Sequence, residues 1–432
     1  MKPMPLRARS RGFTNSPALV SSAIAVVALT AAQLFYQAGA ASFRTVWAED
    51  GEVFFDDARR RGLAALARPY AGYLVSLPRL LAFPATWLPA GRIAVYMAVA
   101  GALVCSLIAV SLYWLTDQAI TSRVLRAVLV VAVALHPVLV LENMANITNV
   151  IWVLAFAVFW ALLRQPIRRS DAVLAAVVVL LGTLSTSITV VFLPVAGYVA
   201  WTRRDRYTRI VVGAFGFALV VQGIAYLSTA DHGPTGSAAG LPTLYVARVL
   251  GSAAVGEHWA TQLWNDGGRT RLLPFAALIA LVLLFLFVLT RGRALVLGII
   301  AAAYSVIIFV APLLNRGTVG MQLGSVWTSN GARYAALGIL FLLSSLFIMI
   351  PAARFGTTWR NGLVYLAVVQ VTVIVAFAYR FENARSPGPE WYPKLVAAAH
   401  TCRRNSRNEV AIPTTPSGWL ILLPCTEIRS AT

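Results

Sequence analysis

Long apolar segments separated by short arginine-rich loops constrain this chain more than any other feature. A helix needs about 20 apolar residues to cross a bilayer. Of the 432 residues, 59% are hydrophobic and 12% are charged. Soluble domains carry roughly 45–50% apolar and about 25% charged residues, which excludes a large soluble domain or a nucleic-acid module as the main architecture. We predict an all-α polytopic membrane protein with about 11 transmembrane helices, over 17–40, 91–115, 124–141, 147–163, 172–185, 187–200, 210–228, 272–290, 294–312, 333–351 and 361–379.

The apolar stretch 172–200 is too long for one comfortable span. A polar run from Gly182 to Thr189 interrupts it, and arginines lie beyond both of its ends. Two short helices that meet near one face of the membrane account for both observations. The alternative is a single long tilted helix, which would reverse the orientation of every later span.

Arginine clusters predict the orientation, because short cytoplasmic loops of membrane proteins carry an excess of Lys and Arg. The arginine-rich segments that fall on one side are the N-terminus, 164–169, 203–209, 291–293 and 354–360. We therefore predict a multi-pass plasma-membrane protein with a cytoplasmic N-terminus and an extracytoplasmic C-terminus. Among the 16 acidic residues, only Asp117, Asp171 and Asp205 fall on the cytoplasmic side, which agrees with this orientation. The net charge of +20 then belongs to cytoplasmic loops, and no nucleic-acid partner is expected.

The densest polar feature is the first predicted outer loop, 41–90. Five carboxylates fall within nine residues there and three arginines come after them. The five are Glu49, Asp50, Glu52, Asp56 and Asp57. We predict a turn at Asp50–Gly51 and then a short amphipathic helix at the membrane interface, with Val53, Phe54 and Leu63 toward the membrane. The alternative is a solvated, self-neutralising cap without a catalytic role.

A first span from inside to outside, an outer loop that opens with adjacent acids, and an interfacial helix resemble the GT-C glycosyltransferases. Members of this family are integral membrane enzymes that take a sugar from a polyprenyl-phosphate donor. Their acidic pair has its match in Glu49 and Asp50. The resemblance implies a GT-C-like transmembrane domain over 1–379, with Asp50 as the base or the ligand of a divalent cation (Mg²⁺ or Mn²⁺) and Glu49 assisting. A carboxylate is ionised at neutral pH and can take a proton from an acceptor hydroxyl.

Outer arginines are the candidates for binding the lipid phosphate, because the guanidinium fork matches phosphate oxygens. Arg333 and Tyr334 open a late span, and an Arg-Tyr pair in this place resembles what several GT-C-like enzymes show. Arg79 and Arg316 are further phosphate candidates, and Tyr334 is a candidate for binding the sugar. For each arginine the alternative is an interface anchor that reaches lipid headgroups.

Other outer residues are candidates for binding the sugar or the acceptor. They are Trp47, Glu142, Asn146 and His258. Carboxylates and amides hydrogen-bond sugar hydroxyls, and an aromatic ring stacks on a sugar face. Glu142 and Asn146 equally fit a role in capping helix ends, and interfacial tryptophans are common without any ligand.

The segment 380–432 is predicted to be a short extracytoplasmic tail that folds over the outer face. Cys402 and Cys425 both lie in it, where oxidising conditions allow a disulfide that pins the tail. We expect this pair to be structural and not redox-active. Cys105 falls inside a span and is expected to pack as a small apolar residue.

These features predict a membrane glycosyltransferase that moves a sugar from a polyprenyl-phosphate donor to an envelope glycan or lipid acceptor on the extracytoplasmic face. The chain has no Gly-x-x-x-x-Gly-Lys-Ser/Thr loop, which argues against ATP hydrolysis by that route. The alternative is a lipid-linked glycan flippase or a polysaccharide transport component. Ion-coupled transporters usually carry ionisable groups near the midplane, and the predicted span cores have essentially none.

Labelling tests the orientation. A cysteine at Glu49, in the predicted Trp47–Gly51 turn of a chain with Cys105→Ser, should react with a membrane-impermeant maleimide added outside intact cells, because this loop is predicted to be extracytoplasmic. A cysteine at Arg204 should react only after the membrane is permeabilised. Labelling of the Trp47–Gly51 turn from the cytosol alone would contradict both the orientation and the GT-C resemblance.

Overall fold

The computed structural model shows a mostly helical membrane protein. It describes residues 16–35, 39–135, 145–230, 236–317, 332–378, 388–404 and 408–429. In chain order its α-helices are α1 (Ser16–Phe35), α2 (Gly39–Arg44), α3 (Asp56–Arg61), α4 (Ser76–Ala82), α5 (Ile93–Leu115), α6 (Arg123–Leu135), α7 (Val150–Leu163), α8 (Arg169–Thr183), α9 (Leu193–Thr202), α10 (Arg206–Leu227), α11 (Leu241–Leu244), α12 (Ser252–Val255), α13 (Glu257–Leu289), α14 (Gly292–Arg316), α15 (Ala332–Met349), α16 (Thr357–Ala378), α17 (Trp391–Arg404) and α18 (Cys425–Arg429).

Shorter elements of other kinds join these helices. The π-helical turns are Asp50–Phe55 and Tyr245–Gly251, the 3₁₀ turns are Gly62–Ala67, Phe83–Trp87, Ala90–Arg92, Ser187–Phe192 and Ile350–Ala352, and the strands are β1 (Glu409–Pro413) and β2 (Leu420–Pro424). The strands form an antiparallel hairpin in which Glu409 pairs with Pro424 and Pro413 with Leu420. This hairpin lies in the tail, where the sequence pattern did not predict strands.

Seven helices of the described part are long and apolar enough to cross a membrane. They are α1, α5, α10, α13 from Thr270 onward, α14, α15 and α16. The other four predicted spans, 124–141, 147–163, 172–185 and 187–200, hold helices α6 to α9. The count of eleven spans is therefore not confirmed.

Helices α6, α7, α8 and α9 are 13, 14, 15 and 10 residues long. At about 1.5 Å per residue, each is shorter than the roughly 30 Å hydrocarbon core. Helix α7 is buried from Val150 to Leu162, so no part of that stretch faces lipid. A helix that is apolar all round belongs in a protein interior, and α7 forms the centre of this fold.

The polar run within 172–200 breaks the helix, as predicted. Helix α8 ends at Thr183, and the hydroxyl of Thr186 accepts a hydrogen bond from the Ile188 N–H at the start of the next turn. Helix α9 then begins at Leu193. The hydroxyls replace part of the backbone hydrogen bonding that the break removes.

Aromatic rings fill the space around α7. Phe159 lies 4.8 Å from Phe341 and 5.0 Å from Tyr304, measured between ring centroids. Phe156 meets the same Phe341 ring at 5.0 Å, and Phe192 meets Phe159 at 5.5 Å. Such tilted and edge-to-face pairs add to the burial of apolar area, so they fix α7 against α14 and α15.

Arginines cap the carboxyl ends of helices on the predicted cytoplasmic side. Arg126 donates to the Tyr113 carbonyl at 3.1 Å, and Arg203 donates to the Leu163 carbonyl at 2.9 Å. Arg164 bonds both the Trp114 carbonyl and the Asp117 carboxylate. Positive charge is favourable at the carboxyl end of a helix. These arginines therefore stabilise the helix ends in addition to making the predicted cytoplasmic side positively charged.

The segment predicted to form a turn and an interfacial helix differs from the expectation, both in its backbone and in which side chains are buried. No turn separates Asp50 from α3, because the π-helical turn Asp50–Phe55 runs directly into that helix. Phe54 was predicted to face the membrane, but it is fully buried in the core. Leu63 is 59% exposed and remains on the surface. The π-helical turn rotates Phe54 inward, which a helix of regular period would not do.

A close approach between α5 and the turn before α7 gives a stability prediction. A Cβ at Gly101 would lie 2.6 Å from the backbone carbonyl of Asn146. We expect Gly101→Ala to lower the stability by about 1–3 kcal/mol, because the helix and the turn must separate. Gly213→Ala is the matched control, since nothing lies within 4 Å of its Cβ position. Thermal unfolding in detergent measures both, and equal stability of the two variants would contradict the contact.

Candidate functional site

A cavity of about 830 Å³ lies where the outer loop meets the helix bundle. Its walls come from the loop, the start of α7, the break between α8 and α9, the faces of α10, and the neighbouring ends of α14 and α15. The lining residues are Glu49, Phe54, Tyr70, Ala71, Gly72, Tyr73, Val75, Thr148, Asn149, Ile151, Trp152, Thr186, Ser187, Ile188, Val190, Val191, Leu193, Gly216, Leu219, Val220, Gln222, Gly223, Tyr226, Ala311, Pro312, Arg333 and Tyr334.

Three predicted site residues, Glu49, Arg333 and Tyr334, line this one cavity. Tyr334 is buried and packs edge-to-face on Trp152, with ring centroids 5.2 Å apart. The guanidinium carbon of Arg333 lies 5.5 Å from the Tyr334 centroid. Residues far apart in the chain thus bring a carboxylate, a guanidinium and two aromatic rings into the lining of one cavity.

Asp50 lies behind the cavity wall. Its side chain is fully buried and accepts hydrogen bonds from the Ile147 N–H at 3.0 Å and the Thr148 N–H at 2.9 Å. The Thr148 hydroxyl also donates to it. These groups immediately precede α7, and a negative charge is favourable at a helix amino end. Asp50 therefore joins the acidic loop to the central helix, and Glu49 is the member of the acidic pair that lines the cavity.

A tight hairpin tip, which the sequence pattern did not predict, forms part of the wall. The Tyr70 N–H donates to the Tyr73 carbonyl at 2.8 Å, and the Tyr73 N–H donates back at 3.2 Å. The two residues between them, Ala71 and Gly72, have φ of 50° and 88°. Positive φ at both central positions is the geometry of a two-residue hairpin turn, for which glycine is suited. The turn holds two tyrosine rings at the cavity.

Gln222 holds that hairpin against the bundle. Its amide oxygen accepts the Leu74 N–H at 2.9 Å, and its amide nitrogen donates to the Leu74 carbonyl at 3.1 Å and to the Thr183 carbonyl at 2.8 Å. Each buried polar group of this set has a partner, as burial requires. The signal available in the sequence was a glutamine within the apolar helix α10, because a polar side chain in a membrane span is costly unless it has hydrogen-bond partners.

One side of the cavity is apolar and open to the exterior of the bundle. Val190 and Leu193 are both exposed and line it, and Val220 on α10 is 63% exposed. Gly216 and Gly223 of the same helix also line it and have nothing within 4 Å of their Cβ positions. Exposed apolar side chains on a spanning helix face hydrocarbon, so this side of the cavity communicates with the bilayer.

Two further predicted residues lie away from the cavity. Arg79 is only 1% exposed and pairs with Asp57 at 2.7 Å, with its guanidinium 5.5 Å from the Phe54 ring centroid. Phe54 lines the cavity and separates Arg79 from it. Trp47 is buried, and its backbone bridges to Thr415 of the tail.

The remaining predicted residues have structural or peripheral positions. Asn146 is buried, and its side-chain oxygen accepts the Asn149 N–H at 2.8 Å within the turn before α7. His258 is exposed and its ring lies 5.8 Å from that of Trp259. Arg316 ends α14, and its side chain lies outside the described residues, as does all of Glu142. Cys402 and Cys425 are joined in a disulfide, with their Cα atoms 5.5 Å apart.

A metal site does not form among the residues that the structure describes. No three His, Cys, Asp or Glu side chains lie close enough there to hold an ion. Asp50, the predicted ligand, already accepts hydrogen bonds on both oxygens. Glu49 is the one acidic side chain on the described part of the cavity wall. These donors do not fit a divalent cation, which takes several oxygen ligands.

Comparison with known proteins gives no relative. No protein-family model matches the chain, and neither the curated proteins nor the solved structures include a chain similar to it. The chemistry of the cavity therefore rests on its own residues.

The Asp50 contact predicts an effect on stability. Asp50→Asn removes the charge and turns an amide nitrogen toward a backbone N–H, so one buried donor loses its acceptor. We expect a loss of about 1–3 kcal/mol, measured by thermal unfolding in detergent.

Asp56→Asn is the matched control for this measurement. Its carboxylate pairs with Arg59 and Arg60 near the surface, and such pairs contribute at most about 1 kcal/mol. If Asp56→Asn destabilised the protein as much as Asp50→Asn, the loss of stability could not be assigned to the hydrogen bonds between Asp50 and the turn before α7.

Proposed function

We propose that this chain is a membrane glycosyltransferase of the plasma membrane. It takes a sugar from a polyprenyl-phosphate donor and transfers it to a glycan or lipid acceptor on the extracytoplasmic face. In this proposal the N-terminus is cytoplasmic and the tail is extracytoplasmic. The observation that carries the proposal is the single cavity that Glu49, Arg333 and Tyr334 line together.

Glu49 is assigned as the general base. It removes the proton from an acceptor hydroxyl, whose oxygen then attacks the anomeric carbon of the donor sugar. The bond between that carbon and the phosphate oxygen breaks, and the electron pair leaves with the phosphate. Asp50 takes a positioning role, because its oxygens are engaged by the turn before α7.

Arg333 is assigned to the departing phosphate. A planar guanidinium bonds two phosphate oxygens at once and stabilises the negative charge that grows as the sugar leaves. Its position at the start of α15, beside the neighbouring Tyr334 ring, supports this assignment because the ring limits where the guanidinium can lie.

The apolar side of the cavity supports a lipid-borne donor. Exposed valines and leucines line that side, and a polyprenyl chain in the bilayer can reach the charged wall through it without crossing water. Aromatic rings at the other end, those of Tyr70, Trp152 and Tyr334, are suited to stacking on the faces of a sugar ring.

Kinetics of the purified protein in nanodiscs test the proposal. We expect Glu49→Gln to lower kcat for transfer from the lipid donor by about 10²–10⁴-fold, because the base is lost and the shape is kept. Arg333→Ala should raise the KM for the donor and lower kcat, because phosphate charge is uncompensated in both ground and transition states. Radiolabelled polyprenyl-phosphate sugars and a thin-layer assay of the product give both constants.

Two substitutions of residues that do not line the cavity serve as controls. Glu390→Gln and Arg354→Ala change the same residue types at exposed positions, and both variants should transfer sugar at the unaltered rate. Full activity of Glu49→Gln would remove the assignment. Movement of intact donor across the membrane without transfer would favour the flippase alternative.

A further inference from the structure

The seven residues Val46–Glu52 contact both the helix bundle and the tail, and only one of the seven lines the cavity. Glu49 lines the cavity, whereas its six neighbours do not. Asp50 is held by the turn before α7. Further hydrogen bonds and packing contacts of this segment come from the tail, more than 360 residues later in the chain.

The tail holds the segment on the amino side of Glu49. The Thr415 N–H donates to the Val46 carbonyl at 2.9 Å, and the Ala48 N–H donates to the Thr415 carbonyl at 2.6 Å. These two bonds flank Trp47 and form a short parallel bridge. Backbone bonds of this kind fix both the direction and the register of the residues next to them.

The tail also holds the segment on the carboxyl side of Glu49. The Leu420 N–H donates to the Glu52 carboxylate at 2.8 Å. Ile421, which is fully buried, packs on Gly51 so closely that a Cβ there would lie 2.5 Å from its Cδ1 atom. A larger side chain at position 51 would therefore displace the Ile421 side chain, so this glycine allows the close approach of β2.

The tail is itself anchored to the rest of the chain at Trp391 and cross-linked internally by a disulfide. The indole N–H of the buried Trp391 donates to the Ala90 carbonyl at 2.7 Å, where α17 begins. The disulfide between Cys402 and Cys425 joins α17 to the end of β2. A hairpin fixed in this way presents a rigid surface to the segment that it contacts.

We propose that the tail residues Thr415–Ile421 are a positioning element for the catalytic carboxylate, acting through the segment Val46–Glu52 and not through contact with the cavity. This inference rests on the proposed function, in which Glu49 is the base. It goes beyond that function because it assigns a role to tail residues that touch neither the cavity nor a substrate. A general base must lie within hydrogen-bond reach of its proton, so a small displacement of Glu49 affects the rate of transfer more than donor binding.

Ile421→Ala is the test variant, and Leu422→Ala is its matched control. The two side chains are neighbours on β2, but Ile421 faces the segment and Leu422 faces outward. We expect Ile421→Ala to lower kcat by about tenfold to a hundredfold, because the segment relaxes into the space that is left. The KM for the donor should stay within about twofold, since Arg333 and Tyr334 are untouched. Leu422→Ala should change neither constant.

A readout that does not depend on activity separates this inference from the proposed function. Glu49→Cys is introduced into a chain with Cys105→Ser, and its rate of reaction with N-ethylmaleimide is measured with Ile421→Ala or Leu422→Ala added. We expect a changed rate with Ile421→Ala alone. Equal rates in the two backgrounds, or a changed rate with an unaltered kcat, would overturn the positioning role.

Failure of the proposed function gives a different result. Wild-type protein without any transfer activity, combined with a rate change at position 49 with Ile421→Ala only, would remove the glycosyltransferase assignment and keep the tail as the element that orients Glu49. A loss of activity in both Ile421→Ala and Leu422→Ala, with equal loss of thermal stability, would show that the tail only stabilises the fold and would overturn the inference.

Discussion

The fold depends on the contact between the Asp50 carboxylate and the amino end of helix α7. A buried negative charge is costly unless it is compensated, and here two backbone N–H groups and the Thr148 hydroxyl compensate it. Helix α7 is the centre of the bundle and the most deeply buried helix in the described part of the molecule. The contact with Asp50 therefore fixes the acidic loop relative to this helix. The same contact separates the roles of two adjacent acids, because it turns Asp50 inward and leaves Glu49 on the cavity wall.

The cavity has a polar side and an apolar side, and the hydrogen-bonding needs of the backbone explain part of this difference. Backbone groups in loops need hydrogen-bond partners from elsewhere in the protein. Gln222 supplies such partners to the backbone of Leu74 and Thr183. Spanning helices satisfy their backbone internally, and the face of α10 that lines the cavity presents Gly216, Val220 and Gly223. A substrate with a charged head and a greasy chain meets both environments in one site, which supports the proposed polyprenyl-phosphate donor.

Sequence reasoning succeeded where a property is local and failed where it depends on packing. Hydropathy found the long helices, and the polar run of 172–200 predicted the break that Thr186 stabilises. The helices α6 to α9 fall in apolar stretches of the sequence, so their short length distinguishes them from spans, and α7 is also buried throughout. The acidic pair and Arg333 were found from residue type and position. The tail hairpin, the Tyr70–Tyr73 turn and the inward rotation of Phe54 were not, because each arises from contacts that no local pattern encodes.

The bond between Glu52 and Leu420 closes a loop of 368 residues. In the proposed orientation the acidic segment reaches the far side of the membrane before the strand that it contacts has been made, because that strand comes 368 residues later in the chain. Contacts of such long range form late in folding, since the intervening chain must first be ordered. The segment around Glu49 therefore reaches its final arrangement only after β2 has been made and has packed against it, so any event that delays the tail also delays the proposed base.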